Sequence, residues 1–273
     1  MKRVDIFGYR ISAEGMRRDV ATALAWIADG SSTRYVVTVN PHSVAVAASD
    51  PLFRAALRDA DLALPDGTGV VLAARLFGLP LRERVTGSDF FGAVIEAASR
   101  RMGVRFFFLG SSPYVLSRIR ERIRREYPRV VVCGAYAPSF CDDFAEDEER
   151  KMVAAVNAAR PDVLWVGMTA PKQECWIYRN RENLSVPCVA AVGAVFDFFA
   201  GTKRRSPAFW RRLGLEWLHR LLQEPARLWK RNFVSSPIFI GMAVREWIRR
   251  AAGRKERSVT GLSDIGAHRR ERT

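Results

Sequence analysis

The chain has 273 residues, 48% of them hydrophobic, enough to bury a sizeable core in one large domain or in one domain with an appendage. Four cysteines without CxxC pairing or metal-ligand spacing argue against a disulfide frame and for reduced thiols in a cytosolic protein. The net charge of +15 is unevenly placed: residues 203–273 hold 18 Lys and Arg against 6 Asp and Glu, a net of +12, which leaves +3 for residues 1–202. Such asymmetry calls for an anionic partner, whether a phosphate-rich ligand, a membrane surface or nucleic acid.

The first residues lack the apolar stretch of a signal peptide. Apolar periodicity then predicts a helix over 16–29, with Val20, Leu24 and Ile27 on one face, and a strand at 35–39. A helical pattern over 43–59 leads to the apolar run before Asp66. Further helices are expected over 88–102, 114–126, 144–159 and 172–183. Between them lie strand-like runs at 104–109, 129–133, 162–168 and 186–195. Buried strands alternating with helices indicate an α/β fold, a Rossmann-like, mostly parallel sheet with helices on both faces, over residues 1–202.

Residues 203–252 differ: bulky apolar residues interleave with arginines. On a helical wheel Trp210, Leu213, Trp217, Leu221 and Leu228 share a broad face, beside Arg212, Arg220, Arg227 and Arg231, and Pro225 must break the helix. This is the pattern of a basic amphipathic element that rests on a membrane; the alternative is a helix docked on the body with solvated arginines. The longest apolar segments, such as 233–244, fall short of the roughly 20 residues that cross a bilayer. Residues 253–273 have few apolar groups and read as a disordered tail.

Candidate chemistry collects at strand ends. Asp66 follows an apolar run in LALPDGTGVV, either making an Asp-Gly turn or presenting a base. Thr38 and Asn40 offer a hydroxyl and an amide, with helix capping as the alternative for Asn40-Pro41. Arg84 is a phosphate-binding cation or a surface partner of Glu83. Gly110-Ser111 closes another strand. Gly167 opens the loop that leads to Lys172, Gln173 and Glu174. Gly193 and Asp197 line a site or, for Asp197, serve structure alone. The acidic run from Asp142-Asp143 to Glu149 lacks a DxD pattern and reads as a solvated helix start. His42, His219 and His268 have no ligand spacing. No metal or other cofactor is expected. The first strand is not followed by GxGxxG, which argues against a nicotinamide enzyme. A nucleic-acid-binding α/β protein would explain the basic C-terminus, although its arginines alternate with Trp and Leu and no nucleic-acid module is visible.

Four clusters in order resemble the WecG/TagA/CpsF glycosyltransferases, family 26. They are Thr38-Val39-Asn40-Pro41; Asp61–Gly69 with Glu83-Arg84-Val85 and Gly87-Ser88-Asp89; Gly167–Glu174 with Trp176; and Gly193–Gly201 with Leu215-Glu216-Trp217, Arg220-Leu221 and Glu224-Pro225. The resemblance covers about residues 4–233. It implies an inverting, metal-independent transfer of an N-acetylmannosamine-type or glucose-type sugar from a UDP-sugar to an undecaprenyl-diphosphate-linked saccharide. Cell-surface polysaccharide is the product, and the enzyme works at the cytoplasmic face of the inner membrane, as a homo-oligomer in some states. It also implies that Asp66 is the general base. Beside it, the residues themselves make Thr38, Asn40 and Arg84 candidates to assist, Gly110, Ser111, Gly167, Lys172, Gln173, Glu174, Gly193 and Asp197 candidates to line a UDP-sugar site, and Arg212, Arg220, Arg227 and Arg231 candidates to meet a lipid diphosphate. Thr169 stands where the family often has glycine, which predicts a stiffer or differently shaped loop.

Overall fold

The structure, a computed structural model, describes residues 1–268 except 102, 142, 208, 211–213, 226–228 and 230–232; at 220 and 253–268 it describes the backbone alone. An antiparallel hairpin comes first, β1 (Arg3–Ile6) and β2 (Tyr9–Ser12), turning through Phe7 and Gly8, both at positive φ. Four-residue strands carry too little alternation for the sequence to announce them. The remaining strands are β3 (Arg34–Val39), β4 (Leu62–Pro65), β5 (Arg105–Leu109), β6 (Val131–Tyr136), β7 (Val163–Val166) and β8 (Cys188–Ala191). The eight form one sheet in the order β1-β2-β4-β3-β8-β7-β5-β6, parallel apart from the first pair.

Every residue of β4, β7 and β8 is buried, because helices cover both faces of the sheet. Alternate side chains enter two cores. Phe106, Phe108, Trp165 and Ala190 join the one under α1 (Met16–Asp29), α5 (Gly87–Ser99), α6 (Pro113–Glu126) and α9 (Val195–Ala200). Phe107, Leu109, Val166 and Ala191 join the other, under α2 (Pro41–Ala47), α3 (Pro51–Arg58), α4 (Thr68–Leu76), α7 (Glu146–Ala159) and α8 (Lys172–Asn180). Trp165 anchors the first core, its ring centroid 4.7 Å from that of Phe91 in an edge-on contact.

The single helix expected over 43–59 is two. Pro51 has no N–H to continue α2, and the Asp50 side chain accepts from the Phe53 N–H at 2.9 Å to start α3. Beyond 202, α10 (Glu216–Gln223) follows Gly214, at φ 73°, and stops short of Pro225. The last helix, α11 (Ser235–His268), carries helical backbone through 253–268, where the sequence reads as a tail; no proline after 237 interrupts it. Its first half docks on the body. Phe239 is buried against Phe7, which packs edge-on to Phe77, and Arg250 lies 4.9 Å over the Phe77 ring and donates to the Asp5 carbonyl.

Connection handedness positions the site. After β3 the chain enters α2 on one face, and after the neighbouring β8 it enters α9 on the other. β7 and β5 diverge likewise, into α8 and α6. Neighbouring strands from β3 to β5 thus send their helices to opposite faces, the arrangement in which open α/β sheets bind ligands outside the carboxyl ends of the strands.

Candidate active site

The Val39–Pro65 register sets Asn40 beside Asp66 at the carboxyl edge. The Asp66 N–H donates to the Val39 carbonyl at 2.9 Å, so the turn is welded to β3, and the carboxylate stays only half-buried. A Cβ at Gly69 would lie 2.6 Å from the Pro41 ring, and Gly67 sits at φ 98° against the same proline. The Asn-Pro and Asp-Gly-Thr-Gly stretches are thus two halves of one packed unit, which needs glycine at both positions. Thr38 is partly exposed and reaches toward Gly87 at the start of α5. Asn40 takes the capping alternative: its side-chain oxygen accepts from the Ser43 N–H at 3.0 Å, and the Ser43 hydroxyl accepts from the Asn40 N–H.

Arg84 flanks the same turn, since the neighbouring Val85 N–H donates to the Pro65 carbonyl. Its ion-pair partner is Glu216 of α10, at 3.5 Å, and Glu83 instead accepts from the Met16 N–H. A second guanidinium joins it. Arg205 donates to Asp89 at 2.7 Å and to the Thr86 hydroxyl at 3.2 Å, lies 3.8 Å from Glu216, and interacts electrostatically with Asp66. Sequence reading assigns no role to Arg205, Thr86, Asp89 or Glu216. The available signal was the Thr86-x-x-Asp89 cap, in which Asp89 N–H donates to Thr86 and Thr86 O–H donates back to the carboxylate.

The other candidates gather around β5, β7 and β8. Gly110 passes so close to the next loop that a Cβ would lie 2.8 Å from the Gly167 carbonyl, and Ser111 follows at φ 63°. Gly167 lies against the Phe196 ring, 2.5 Å from where a Cβ would sit. Gln173 is buried, with both ends of its amide engaged. Its oxygen accepts from the Met168 and Gly193 N–H groups at 3.3 and 3.0 Å, and its nitrogen donates to Glu174 at 2.9 Å. It is a strut between two strand-end loops and not an open ligand group. Glu174 is 1% exposed, and burial pushes its carboxyl up to about 7; its second oxygen has no hydrogen-bond partner. Lys172 is half-buried: its ammonium donates to the Cys141 carbonyl and lies 3.9 Å over the Phe144 ring. Asp197 accepts from the Thr202 hydroxyl at 3.2 Å. Asp66, just past β4, and Gly110, just past β5, follow strands four positions apart in the sheet, roughly 19 Å at about 4.8 Å per strand.

Arg212, Arg227 and Arg231 lie outside the described residues, as does the side chain of Arg220. Among the described residues no three His, Cys, Asp or Glu side chains are grouped to hold a metal. A depression of about 600 Å³ lined by Thr33, Asp59, Asp61 and Arg181 lies at the opposite, amino end of the strands.

A doubly covered parallel sheet with a turn-borne carboxylate and guanidiniums at its carboxyl edge defines a Rossmann-like α/β enzyme. The Glycosyl transferase WecG/TagA/CpsF family model matches residues 4–253, and the chain belongs to that family of glycosyltransferases. It is 34% identical over 212 residues to a Bacillus spizizenii protein, covering 78% of this chain and 79% of the relative. It is 32% identical over 197 residues to one from Bacillus subtilis, covering 72% and 73%, and 28% identical over 241 residues to one from Staphylococcus aureus, covering 87% and 91%. All three bear the name N-acetylglucosaminyldiphosphoundecaprenol N-acetyl-beta-D-mannosaminyltransferase.

Proposed function

We propose that this protein moves an N-acetylmannosamine-type sugar from a UDP-sugar to an undecaprenyl-diphosphate-linked N-acetylglucosamine, with inversion and without a metal. The observation that carries the reading is Asp66: a half-buried carboxylate on a turn bonded to β3, next to two arginines. The names of the relatives support the sugar and the acceptor.

In this reading Asp66 accepts the proton of the acceptor hydroxyl as its oxygen attacks the anomeric carbon. The bond from that carbon to the UDP oxygen breaks on the opposite face, and its electron pair leaves with the diphosphate. Arg84 stabilises the charge that develops there. The nucleotide lies along the carboxyl edge toward Gly193, Gly167 and Gly110-Ser111, with Gln173 holding the loops apart at a fixed width.

The appendage keeps the enzyme on the cytoplasmic face of the membrane. Trp217, Trp229, Phe233, Ile240, Trp247 and Ile248 are all exposed, and no described helix is long and apolar enough to cross a bilayer. Exposed aromatics beside arginines suit the headgroup layer. These large apolar side chains favour a lipid surface over nucleic acid.

The test is a screen of UDP-sugars against a short-chain prenyl-diphosphate-linked N-acetylglucosamine, with products read by mass spectrometry. Transfer from UDP-N-acetylmannosamine is expected. Transfer from no UDP-sugar to that acceptor would overturn the reading.

A further inference from the structure

Glu216 carries the less usual geometry in this protein. Its carboxylate stands between two guanidiniums, 3.5 Å from Arg84 and 3.8 Å from Arg205. All three side chains are largely shielded from solvent, at 15, 20 and 22% exposure. Settled arginine–carboxylate pairs close to roughly 2.7–2.9 Å and are commonly bidentate. This carboxylate touches both cations and closes on neither.

Arg205 explains why. Its terminal nitrogens are held by Asp89 at 2.7 Å and Thr86 at 3.2 Å, on the first turn of α5. With that edge pinned, the Nε–H is left buried without a hydrogen-bond partner. A buried charged donor without an acceptor is rare and costly. Acidic groups near the two arginines, among the described residues, include Asp66, Asp89 and Glu216. Asp89 is committed to Arg205 and Thr86, and Asp66 is the proposed base.

We propose that Arg84 and Arg205 form a two-guanidinium site for a diphosphate beside Asp66. Glu216 is its positioning residue, holding the pair in register until diphosphate oxygens take its place. The choice of diphosphate as the anion rests on the function proposed above. A diphosphate brings more charge and more acceptor oxygens than one carboxylate, enough to span both cations and reach the Arg205 Nε–H. Glu216 is not stranded on displacement, because it lies in the first turn of α10, where a helix favours negative charge. The site is shared between two parts of the chain. Arg84, Thr86 and Asp89 belong to the body, whereas Arg205 and Glu216 belong to the segment beyond 202. That segment is pinned by Thr68, whose hydroxyl donates to the Gly214 carbonyl at 3.1 Å. Diphosphate affinity therefore depends on the segment being docked.

The experiment is calorimetric titration of the full chain with pyrophosphate at fixed ionic strength. Glu216→Gln, which keeps the shape and removes the competing charge, is expected to tighten pyrophosphate severalfold. Arg205→Gln is expected to weaken it about tenfold or more, the worth of one charge-assisted bond. Opposite signs are the signature; a merely structural ion pair would weaken binding in both variants. Unchanged or weaker affinity in Glu216→Gln overturns the proposal. Should that variant not fold, Arg205→Lys serves: it keeps the charge, loses the Nε donor, and is expected to bind severalfold more weakly, with equal affinity refuting the site. Titrations with UDP and with farnesyl diphosphate then assign the site to the nucleotide or to the lipid, by which of the two follows the pyrophosphate pattern. Sugar transfer plays no part in this readout, so a failed donor screen and a failed titration are separable.

Discussion

Glu174→Gln isolates a single buried charge. Burial raises the Glu174 carboxyl from its ordinary 4.5 to about 7. An acid whose folded value is raised holds its proton more tightly when folded. Its ionised form therefore costs stability, nothing below about pH 4.5 and the full amount above about pH 7. The difference corresponds to about 3 kcal/mol. Glutamine keeps an oxygen to accept from Gln173, so the strut between the Met168 and Gly193 loops survives. It also buries an amide nitrogen where the carboxylate oxygen already lacks a partner, a constant offset of about 1–3 kcal/mol. That offset does not vary with pH, and other titrating groups are common to both proteins. The readout is thus the difference in unfolding free energy between variant and parent, from urea denaturation between pH 5 and 8.5. It should move in the variant's favour by about 2.5 kcal/mol across the range, because part of the cost is already present at pH 5, or roughly 5–10 °C in melting temperature. Parallel stability curves would refute the buried, ionisable placement of Glu174.

Asp66→Asn should retain the fold and lower turnover by about 10²–10⁴-fold at saturating substrates, and a near-parental rate would remove Asp66 as base. Thr169→Gly should stabilise the protein by about 0.5–1 kcal/mol in thermal melts, because Thr169 sits at φ 74°, where only glycine is unstrained. Asp19→Asn carries the same constant amide offset, so its stability relative to the parent should rise by about 2–3 kcal/mol between pH 4 and pH 8. Burial raises the carboxyl of Asp19 from 3.8 to about 6, and the Ser12 hydroxyl can donate to an amide oxygen equally well; a pH-independent difference in denaturation curves would count against it. Trp247→Ser with Ile248→Ser should cut sedimentation with anionic vesicles at least tenfold, given about 1.5–3 kcal/mol per large apolar side chain, while a folded melt is retained, since about half of each side chain faces solvent. Unchanged vesicle binding would assign the membrane contact to other residues.

The sheet was legible in the residues because doubly covered strands are continuously apolar, and runs such as 105–109 and 163–166 have no polar face to confuse the period. Asp66, Thr38 and Arg84 stand out in the residues only as proposals, because open α/β sheets bind ligands just past strand ends, and glycine and proline mark those ends. Lys172, Gln173 and Asn40 show the limit of that reasoning. Each is polar and sits at a strand end, yet Lys172 is spent on Cys141 and Phe144, Gln173 on two backbone N–H groups, and Asn40 on a cap. Nothing local distinguishes a polar group aimed at a ligand from one satisfying its own backbone.

Periodicity and turn chemistry are local, and so most of the α/β alternation and the parallel class follow from the chain alone, whereas the β1/β2 hairpin and the break between α2 and α3 do not. Nor do pairings across long separations. Arg205 meets Asp89 across 116 residues, and His42 meets Ser235 across 193. The tertiary fold alone decided that the basic segment beyond 202 closes over the Asp66 turn and contributes a second arginine there. The free energy of that contact belongs to surfaces that touch only after the sheet has formed.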